Sequence, residues 1–210
     1  MRVLGIDEAG RGCVLGDMVV AGFVVDGVSD ELLRQAGAED SKMLSPARRV
    51  AARGRLAALG PADVRCVIPA AIDEGNMNVL EEELIVALVR HWEPDVVIVD
   101  ALGHPRSLPR VIARIRAAVA CPKPQQWIME PKADHTYAVV GAASIFAKTT
   151  RDAALEDLKV EFGDLGSGYP SDPVTKRWLA RWAGSGRPWP HFVRTRWGTI
   201  RMLGQTPLFA

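Results

Sequence analysis

The chain has 210 residues, of which 48% are hydrophobic and 24% are charged. This length and composition predict one domain with a sizeable core, and they exclude an intrinsically disordered or collagen-like chain. No apolar run reaches the roughly 20 residues that a membrane helix needs, and Met1-Arg2 leads directly into a strand-like segment, so we expect neither membrane insertion nor export. The three cysteines are widely spaced. This spacing argues against a disulfide framework or a zinc site and favours the reducing cytoplasm.

Charge is unevenly distributed along the chain, although the formal net charge is only +1. Residues 1–100 hold 10 basic and 17 acidic side chains, whereas residues 101–210 hold 16 basic and 8 acidic ones. A basic second half supports contact with nucleic acid, but folding can interleave the two halves and remove the asymmetry.

Hydrophobic patterns predict an alternation of strands and helices. Arg2–Ile6 and Met18–Asp26 are expected to form an opening hairpin around the glycine-bearing segment 10–16, and a third strand is expected near 63–69. Ser45 followed by Pro46 is typical of a helix start. The remaining predicted elements are helices over 45–59, 76–92, 107–120 and 139–162, a buried strand over 94–100 and a short strand over 125–129. This order predicts an α/β layer with a mixed sheet and a helical, loop-rich C-terminal segment.

Carboxylates stand where predicted strands end or helices begin. They are Asp7 and Glu8 after the first strand, Asp100 at the end of the buried strand, and Asp134 before the long helix. Active sites of α/β sheets gather at such ends, although an acid at a strand end is more often a turn or capping residue. Neighbouring strand residues point to opposite faces, so Asp7 and Glu8 can share a site only if the strand twists or ends there. Converging carboxylates repel one another unless a cation lies among them, and oxygen ligands favour Mg²⁺ or Mn²⁺.

Ordered sequence blocks are more specific than the acids. They are Gly5-Ile6-Asp7-Glu8-Ala9-Gly10-Arg11-Gly12, Asp40-Ser41-Lys42 with Leu44, Lys132-Ala133-Asp134 with Tyr137 and the helix motif that runs to Asp152, and Gly166-Ser167-Gly168-Tyr169-Pro170-Ser171-Asp172-Pro173. Together they resemble type 2 ribonuclease H, ribonuclease HII, in the form typical of its archaeal branch. The resemblance implies the ribonuclease H-like mixed five-stranded sheet with flanking helices. It also implies a catalytic domain over 1–163 with a helical segment, 164–210, packed on it.

The resemblance implies an endonuclease. Its expected reaction is hydrolysis of the phosphodiester 5′ to a ribonucleotide, in RNA/DNA hybrids and at single ribonucleotides in duplex DNA, which leaves a 3′-hydroxyl and a 5′-phosphate. Two divalent ions, Mg²⁺ or Mn²⁺, are expected, one to activate water and the other to stabilise the leaving oxygen. The residues implied to hold them are Asp7, Glu8, Asp100 and Asp134. A monomer in the cytoplasm, acting in ribonucleotide repair and DNA replication, is implied as well.

Substrate contacts are implied by the same resemblance. The ribonucleotide's 2′-hydroxyl would be read by the main chain of Gly10, Arg11 and Gly12, because exposed backbone can offer it both a donor and an acceptor. Tyr169 would stack against the sugar on the 3′ side and sense an RNA-to-DNA junction. Lys42 and Lys148 would hold phosphates and supply affinity without sequence information.

Departures from the family's blocks leave two other functions open. Cys13, Asp17 and Ala138 stand where many relatives have proline, and Gly141 replaces a usual serine. These changes affect loops near the acids, and Asp17 could add negative charge there. If they spoil a metal site, the chain would be a module that binds hybrid or junction duplexes without cutting. A general Mg²⁺ phosphodiesterase is the other alternative, and it would also cut duplex DNA.

The remaining prominent residues have ordinary interpretations. The tryptophans of the basic C-terminal segment could stack on bases, but we favour packing onto the body; they are Trp178, Trp182, Trp189 and Trp197. Glu81 to Glu83 are interpreted as helix-start charges. Gln205, Leu208 and Phe209, within 205–210, resemble the first half of a sliding-clamp binding peptide, with its second aromatic missing. A frayed hydrophobic terminus is the alternative, and clamp contact would be weak.

Overall fold

A computed structural model of the chain describes residues 1–38, 44–101, 105–120, 124 and 126–205, apart from the side chains of 204 and 205. The described residues form a five-stranded sheet in the order β3-β2-β1-β4-β5. Its strands are β1 (Arg2–Ala9), β2 (Met18–Asp26), β3 (Ala62–Val67), β4 (Val96–Asp100) and β5 (Gln126–Glu130). β2 is antiparallel to β1 and β3, whereas β4 is parallel to β1 and β5. The predicted mixed sheet is therefore confirmed.

Helices connect and cover these strands. They are α1 (Asp30–Gln35), α2 (Pro46–Ala57), α3 (Pro69–Glu74), α4 (Met77–Trp92), α5 (Leu108–Val119), α6 (Ala133–Thr136), α7 (Ala138–Phe162), α8 (Pro173–Gly184) and α9 (Gly198–Gln205), with a 3₁₀ turn at Pro105–Ser107. Ser45 caps α2 by accepting from the amide of Arg48 at 3.4 Å, as the Ser-Pro pair predicts. The sequence analysis missed α1, α3 and α6, which are too short to carry a helical period and depend on tertiary packing. It also placed the end of β3 too late, because Pro69 already begins α3.

The sheet is covered on both faces. Val19, Ala21 and Phe23 of β2 pack toward α7 with residues of α1 and α2, whereas Leu4 and Ile6 of β1 pack toward α4 and α5. Gly5 allows β1 and α7 to approach closely, because a Cβ there would lie 2.5 Å from the main-chain carbonyl of Val139. This approach brings the middle of α7 over the end of β1.

The C-terminal segment, defined here as residues 164–205, packs against the loop that follows β1. Leu15 and Val193 form an isolated antiparallel bridge between the two. Trp178 is only 2% exposed and stacks on Trp182, with ring centroids 5.1 Å apart. Trp189 and Trp197 pack against the same hydrophobic cluster, in agreement with the packing interpretation of the four rings. Within the described ranges, no helix has both the length and the hydropathy needed to cross a membrane.

Candidate active site

The site forms where β1 runs beyond its parallel neighbour. β1 pairs with β2 as far as Ala9, but it pairs with β4 only as far as Ile6. The expectation that the first strand ends at Ile6 is therefore wrong, since Asp7 and Glu8 lie inside β1. Both side chains still reach one cleft, because β1 has lost one edge partner there and the sheet opens beside them.

The predicted acids line this cleft together. Asp7, Glu8, Asp100 and Asp134 all contribute to its wall, and its volume is about 420 Å³. Asp100 is the last residue of β4, and its Oδ1 accepts a hydrogen bond from the amide of Ala133 at 2.9 Å. This bond joins the end of β4 to α6, the short helix that carries Asp134. The sequence analysis placed Asp134 before the long helix without foreseeing α6.

The acids carry the electrostatic strain expected of converging carboxylates. Burial raises the pKa of Asp7 to about 6, against opposing effects of a hydrogen bond from Ser144 and of the nearby Lys148 ammonium. Burial, followed by repulsion from Asp7 and Asp100, raises the pKa of Glu8 to about 8. Both groups would therefore gain from a cation placed among them.

The donor set suits a hard divalent cation. All of its oxygens are carboxylate oxygens, and the buried Oδ1 of Asp134 has no hydrogen-bond partner in the part of the chain that the structure describes. The side chains nevertheless share a cleft without forming a ligand cage. In the described ranges, no group of three or more His, Cys, Asp or Glu side chains already has an arrangement that could hold a metal ion. Asp7 and Asp100 each accept a main-chain hydrogen bond, from Glu8 at 2.8 Å and from Ala133.

Cationic side chains from two helices line the other side of the cleft. Lys148 of α7 donates to Ser144 Oγ at 2.7 Å, and the Ser144 hydroxyl bonds to Asp7. Arg49 of α2 and Arg151 of α7 both bind Asp152, at 2.9 and 3.2 Å. All three cationic side chains line the cleft.

The sequence analysis assigned a role to Lys148 but to neither arginine. A signal was available in α2, where Arg49 and Arg53 are four residues apart on one face. Both contact α7. Arg49 binds Asp152, and Arg53 donates to the hydroxyls of Thr149 and Thr150 at 3.0 Å.

The predicted substrate residues form the mouth of the same cleft, to which Gly10, Arg11, Gly12 and Tyr169 all contribute. Gly10 has a φ of +79°, and a Cβ there would lie 2.6 Å from the carbonyl oxygen of Asp17, so the turn requires glycine. Tyr169 is 41% exposed, and the Arg151 guanidinium lies 5.3 Å from its ring centre. Burial, together with the neighbouring Cys13 thiol, raises the pKa of Tyr169 to about 12, so the phenol stays protonated at physiological pH.

Two interpretations change with the structure. Glu81 is not a solvated helix-start charge, because it is fully buried and forms an ion pair with Arg11. Asp17 does not line the acidic cleft; it lines a separate cavity with Cys66 and His191. Three predicted residues, Lys42, Leu208 and Phe209, lie outside the described residues. Gln205 ends α9, and its side chain is not described.

The chain is similar to known proteins along almost its whole length. A family model described as Ribonuclease HII matches residues 4–200. The ribonuclease HII of Aeropyrum pernix is 40% identical over 208 residues, which cover 96% of this chain and 90% of that protein. The ribonuclease HII of Pyrococcus abyssi is 39% identical over 208 residues, with coverages of 97% and 91%.

Solved structures of ribonucleases H are also similar to this chain. The crystal structure of ribonuclease H2 from Pyrococcus horikoshii has a TM-score of 0.87 at 40% identity, with 97% of both chains covered. A PCNA:RNase HII complex from Archaeoglobus fulgidus has a TM-score of 0.86 at 36% identity, with 98% of both chains covered. A Bst-RNase HIII structure in complex with Mn²⁺ is only 20% identical, covers 97% of this chain and 69% of that one, and shares the fold with a TM-score of 0.78.

Proposed function

The chain belongs to the ribonuclease HII family and is a ribonuclease H, and from this premise we propose that it cuts 5′ to ribonucleotides in two kinds of duplex. These are RNA/DNA hybrids and duplex DNA with single embedded ribonucleotides, and the products carry a 3′-hydroxyl and a 5′-phosphate. The observation that carries the proposal is the meeting, in one cleft, of four carboxylates from three separate parts of the chain with the Gly10–Gly12 loop and Tyr169.

The four carboxylates are proposed to hold two divalent ions, Mg²⁺ or Mn²⁺. Enzymes of the ribonuclease H type generally use divalent metal ions, and when bound these lower the pKa of water and stabilise the leaving oxygen. The chain itself contributes buried carboxylates. Their negative charge would repel the scissile phosphate if no such cations lay between them. By resemblance, Asp7 would be the carboxylate shared between the two ions.

Recognition of the ribonucleotide is assigned to the mouth of the cleft. The main chain of Gly10, Arg11 and Gly12 would contact the 2′-hydroxyl, which both donates and accepts a hydrogen bond. The exposed ring of Tyr169 would pack against the next sugar toward the 3′ side, where a deoxyribose leaves room for it. Lys148, and Lys42 by resemblance, would hold phosphates and supply affinity for every duplex.

The experiment that tests the proposal compares two duplexes that differ at one position. One strand carries a single ribonucleotide, the matched strand carries the deoxynucleotide, and each duplex is incubated with the protein and Mg²⁺ or Mn²⁺. We expect a single nick in the first duplex and none in the second. Binding without a nick would favour a duplex-binding module, and nicking of both duplexes would favour a general phosphodiesterase.

The cellular setting follows from this activity. We propose that the enzyme removes ribonucleotides misplaced in DNA and residual primers, as a monomer in the cytoplasm. We also propose that the chain is divided into a catalytic domain over 1–163 and a C-terminal segment over 164–210. The contacts of Leu15 with Val193 and of Val14 with Gly168 support the packing of that segment on the body.

A contact with a sliding clamp is proposed for the end of the chain. A relative with a similar structure has been solved as a PCNA:RNase HII complex, and residues 205–210 keep a glutamine followed by an aliphatic and an aromatic residue. Gln205, Leu208 and Phe209 would dock weakly on a clamp. Deleting the last six residues should abolish capture by the clamp while leaving nicking intact, and unchanged capture would show that the contact does not exist.

A further inference from the structure

A buried arginine of the C-terminal segment holds the loop that is assigned to the ribose. Arg194 has no exposed surface. Its guanidinium donates to the carbonyl oxygens of Gly10 at 2.7 Å, Arg11 at 2.9 Å and Gly16 at 3.0 Å. The donors and acceptors are about 180 residues apart in sequence, so these bonds are set by the tertiary fold and by no local pattern.

The burial of Arg194 is unusual enough to require a reason. Arginine is almost never fully buried unless its donors are satisfied. Burial lowers the pKa of Arg194 to about 10, so the side chain is still charged near neutral pH. Its planar, forked donors reach three separate carbonyl oxygens at once, which an apolar side chain cannot do, whereas the compact ammonium of a lysine has fewer donors and a shorter span. The guanidinium also lies 5.1 Å from the ring centre of Trp197.

The direction of these bonds determines what the loop presents to the cleft. In a trans peptide the C=O and the following N–H point in opposite directions. Because the carbonyls of Gly10 and Arg11 point to Arg194, the amides of Arg11 and Gly12 point away from it, and both residues line the cleft. Neither amide donates a hydrogen bond to any other part of the described chain, so both are available to a ligand.

The side chain of Arg11 is fixed from another direction. It pairs with the fully buried Glu81 of α4 and donates to Asn78 of the same helix. The side chain of Arg11 is thus held by two residues of α4, although 29% of its surface is exposed.

We propose that Arg194 is a positioning residue for ribonucleotide recognition. By binding the carbonyls of Gly10 and Arg11, it holds the amides of Arg11 and Gly12 toward the 2′-hydroxyl. This inference rests on the proposed function, because it assigns a role at the same site. Arg194 itself touches neither the substrate nor the reacting atoms.

The test compares Arg194→Met with Arg187→Met, which removes the same charge from an exposed position of the C-terminal segment. Two quantities are measured for each protein: the single-turnover nicking rate on the one-ribonucleotide duplex, and the affinity for the matched all-DNA duplex. For Arg194→Met we expect the rate to fall roughly 10- to 100-fold, as for a displaced positioning group, with the all-DNA affinity within twofold of native. Arg187→Met should match the native protein in both measurements.

Arg194→Lys keeps the proposal testable if the methionine variant does not fold. Lysine retains the charge but reaches fewer carbonyls, so the nicking rate should fall by less, with native all-DNA affinity and a melting temperature close to native. A native nicking rate in a folded Arg194 variant would overturn the inference. So would a proportional loss of nicking rate and all-DNA affinity, which would indicate a structural role alone. Failure of the native protein to nick at a ribonucleotide would instead refute the proposed function.

Discussion

The two sides of the cleft are built in different ways. The acidic floor, defined as Asp7, Glu8, Asp100 and Asp134, comes from strand ends and one short helix. The rim, defined as Gly10–Gly12, Arg151 and Tyr169, is held by long-range polar contacts with the C-terminal segment, such as the bonds from the amides of Val14 and Leu15 to the carbonyl of Gly168 at 2.9 and 3.2 Å. In the floor, the pKa values of Asp7 and Glu8 are raised, whereas in the rim the carbonyl oxygens of Gly10 and Arg11 accept hydrogen bonds from Arg194. The floor, where the chemistry is proposed, therefore lowers the stability of the folded protein, whereas the hydrogen bonds of the rim, where recognition is proposed, raise it.

The largest effect is expected from a change to the floor. Asp7→Asn should lower the nicking rate by at least about 10²-fold, because it removes a charge that is proposed to hold cations. The same change should leave the melting temperature at pH 7 unchanged or higher. A carboxyl whose pKa is raised from 3.8 to about 6 in the folded state lowers stability as the pH rises between these values, so the full effect is present at pH 7 and asparagine removes it. Nicking kinetics and thermal unfolding measure the two quantities.

The control is Asp157→Asn, on the exposed surface of α7, which should change neither quantity. If Asp7→Asn lost activity only in proportion to a loss of folded protein, the floor would have no special role.

A rim substitution should act on selectivity. Tyr169→Ala should reduce nicking at a single embedded ribonucleotide roughly 10-fold relative to nicking of a continuous hybrid, because it removes the ring that is proposed to contact the 3′ sugar. Tyr169→Phe keeps the ring and loses only the contact of the hydroxyl with Cys13, so it should stay within a few-fold of native on both duplexes. Rates on the two substrates under identical conditions give the ratio. An equal loss on both substrates in Tyr169→Ala would place this ring in the general machinery and remove the contrast with the floor.

A phosphate contact should alter affinity and leave selectivity unchanged. Lys148→Met should weaken binding of ribonucleotide-containing and all-DNA duplexes by the same factor, and it should reduce the slope of log affinity against log salt by about 1. Lys159→Met provides the control, since Lys159 pairs with Glu156 near the far end of α7. Fluorescence anisotropy over a range of salt concentrations measures the slope. An unchanged slope would mean that Lys148 serves Ser144 and Asp7 instead of a phosphate.

The smallest effect is expected from a change to Asp172, which stabilises the segment next to Tyr169. Asp172 caps α8 by accepting from the amide of Val174 at 2.8 Å and also accepts from the amide of Ser167, next to Gly168 and Tyr169. Bonds from Ser167 are the main cause that lowers the pKa of Asp172 to about 2. The stabilisation is present above pH 4 and is lost as the pH falls from about 4 to 2, since a depressed pKa favours the ionised folded state.

Asp172→Ala should accordingly lower the free energy of unfolding at pH 7 by about 1 kcal/mol, a typical value for an N-cap. The difference from the native protein should shrink below pH 4, as measured by denaturant unfolding at several pH values. A difference that is independent of pH would show that the carboxylate charge contributes nothing.

The floor could be predicted from the sequence, and most of the rim's support could not. Asp100 ends a continuous apolar run and β4, as predicted, whereas Asp7 lies inside β1. Strand ends therefore suggested only that acids could converge, and the resemblance to ribonuclease HII implied the set of four. Arg194 has no local pattern that separates it from the other basic residues, and its partners lie at the opposite end of the chain. Glu81 looked like a solvated charge at a helix start, because its burial against Arg11 depends on where the loop after β1 folds back. The short helix α6, which carries Asp134, has only four residues and so shows no sequence period, and its first amide donates to Asp100 from a distant strand.

The position of the nick is the most direct test of the proposed function. A duplex with one ribonucleotide, labelled at either end in separate reactions, is cut by the native protein with Mg²⁺ or Mn²⁺, and the fragment ends are identified at single-nucleotide resolution. We predict a cut on the 5′ side of the ribonucleotide, which leaves a 3′-hydroxyl on one fragment and a 5′-phosphate on the ribonucleotide. A cut on its 3′ side would contradict the assignment of the rim to the ribose and of the floor to the phosphate that precedes it.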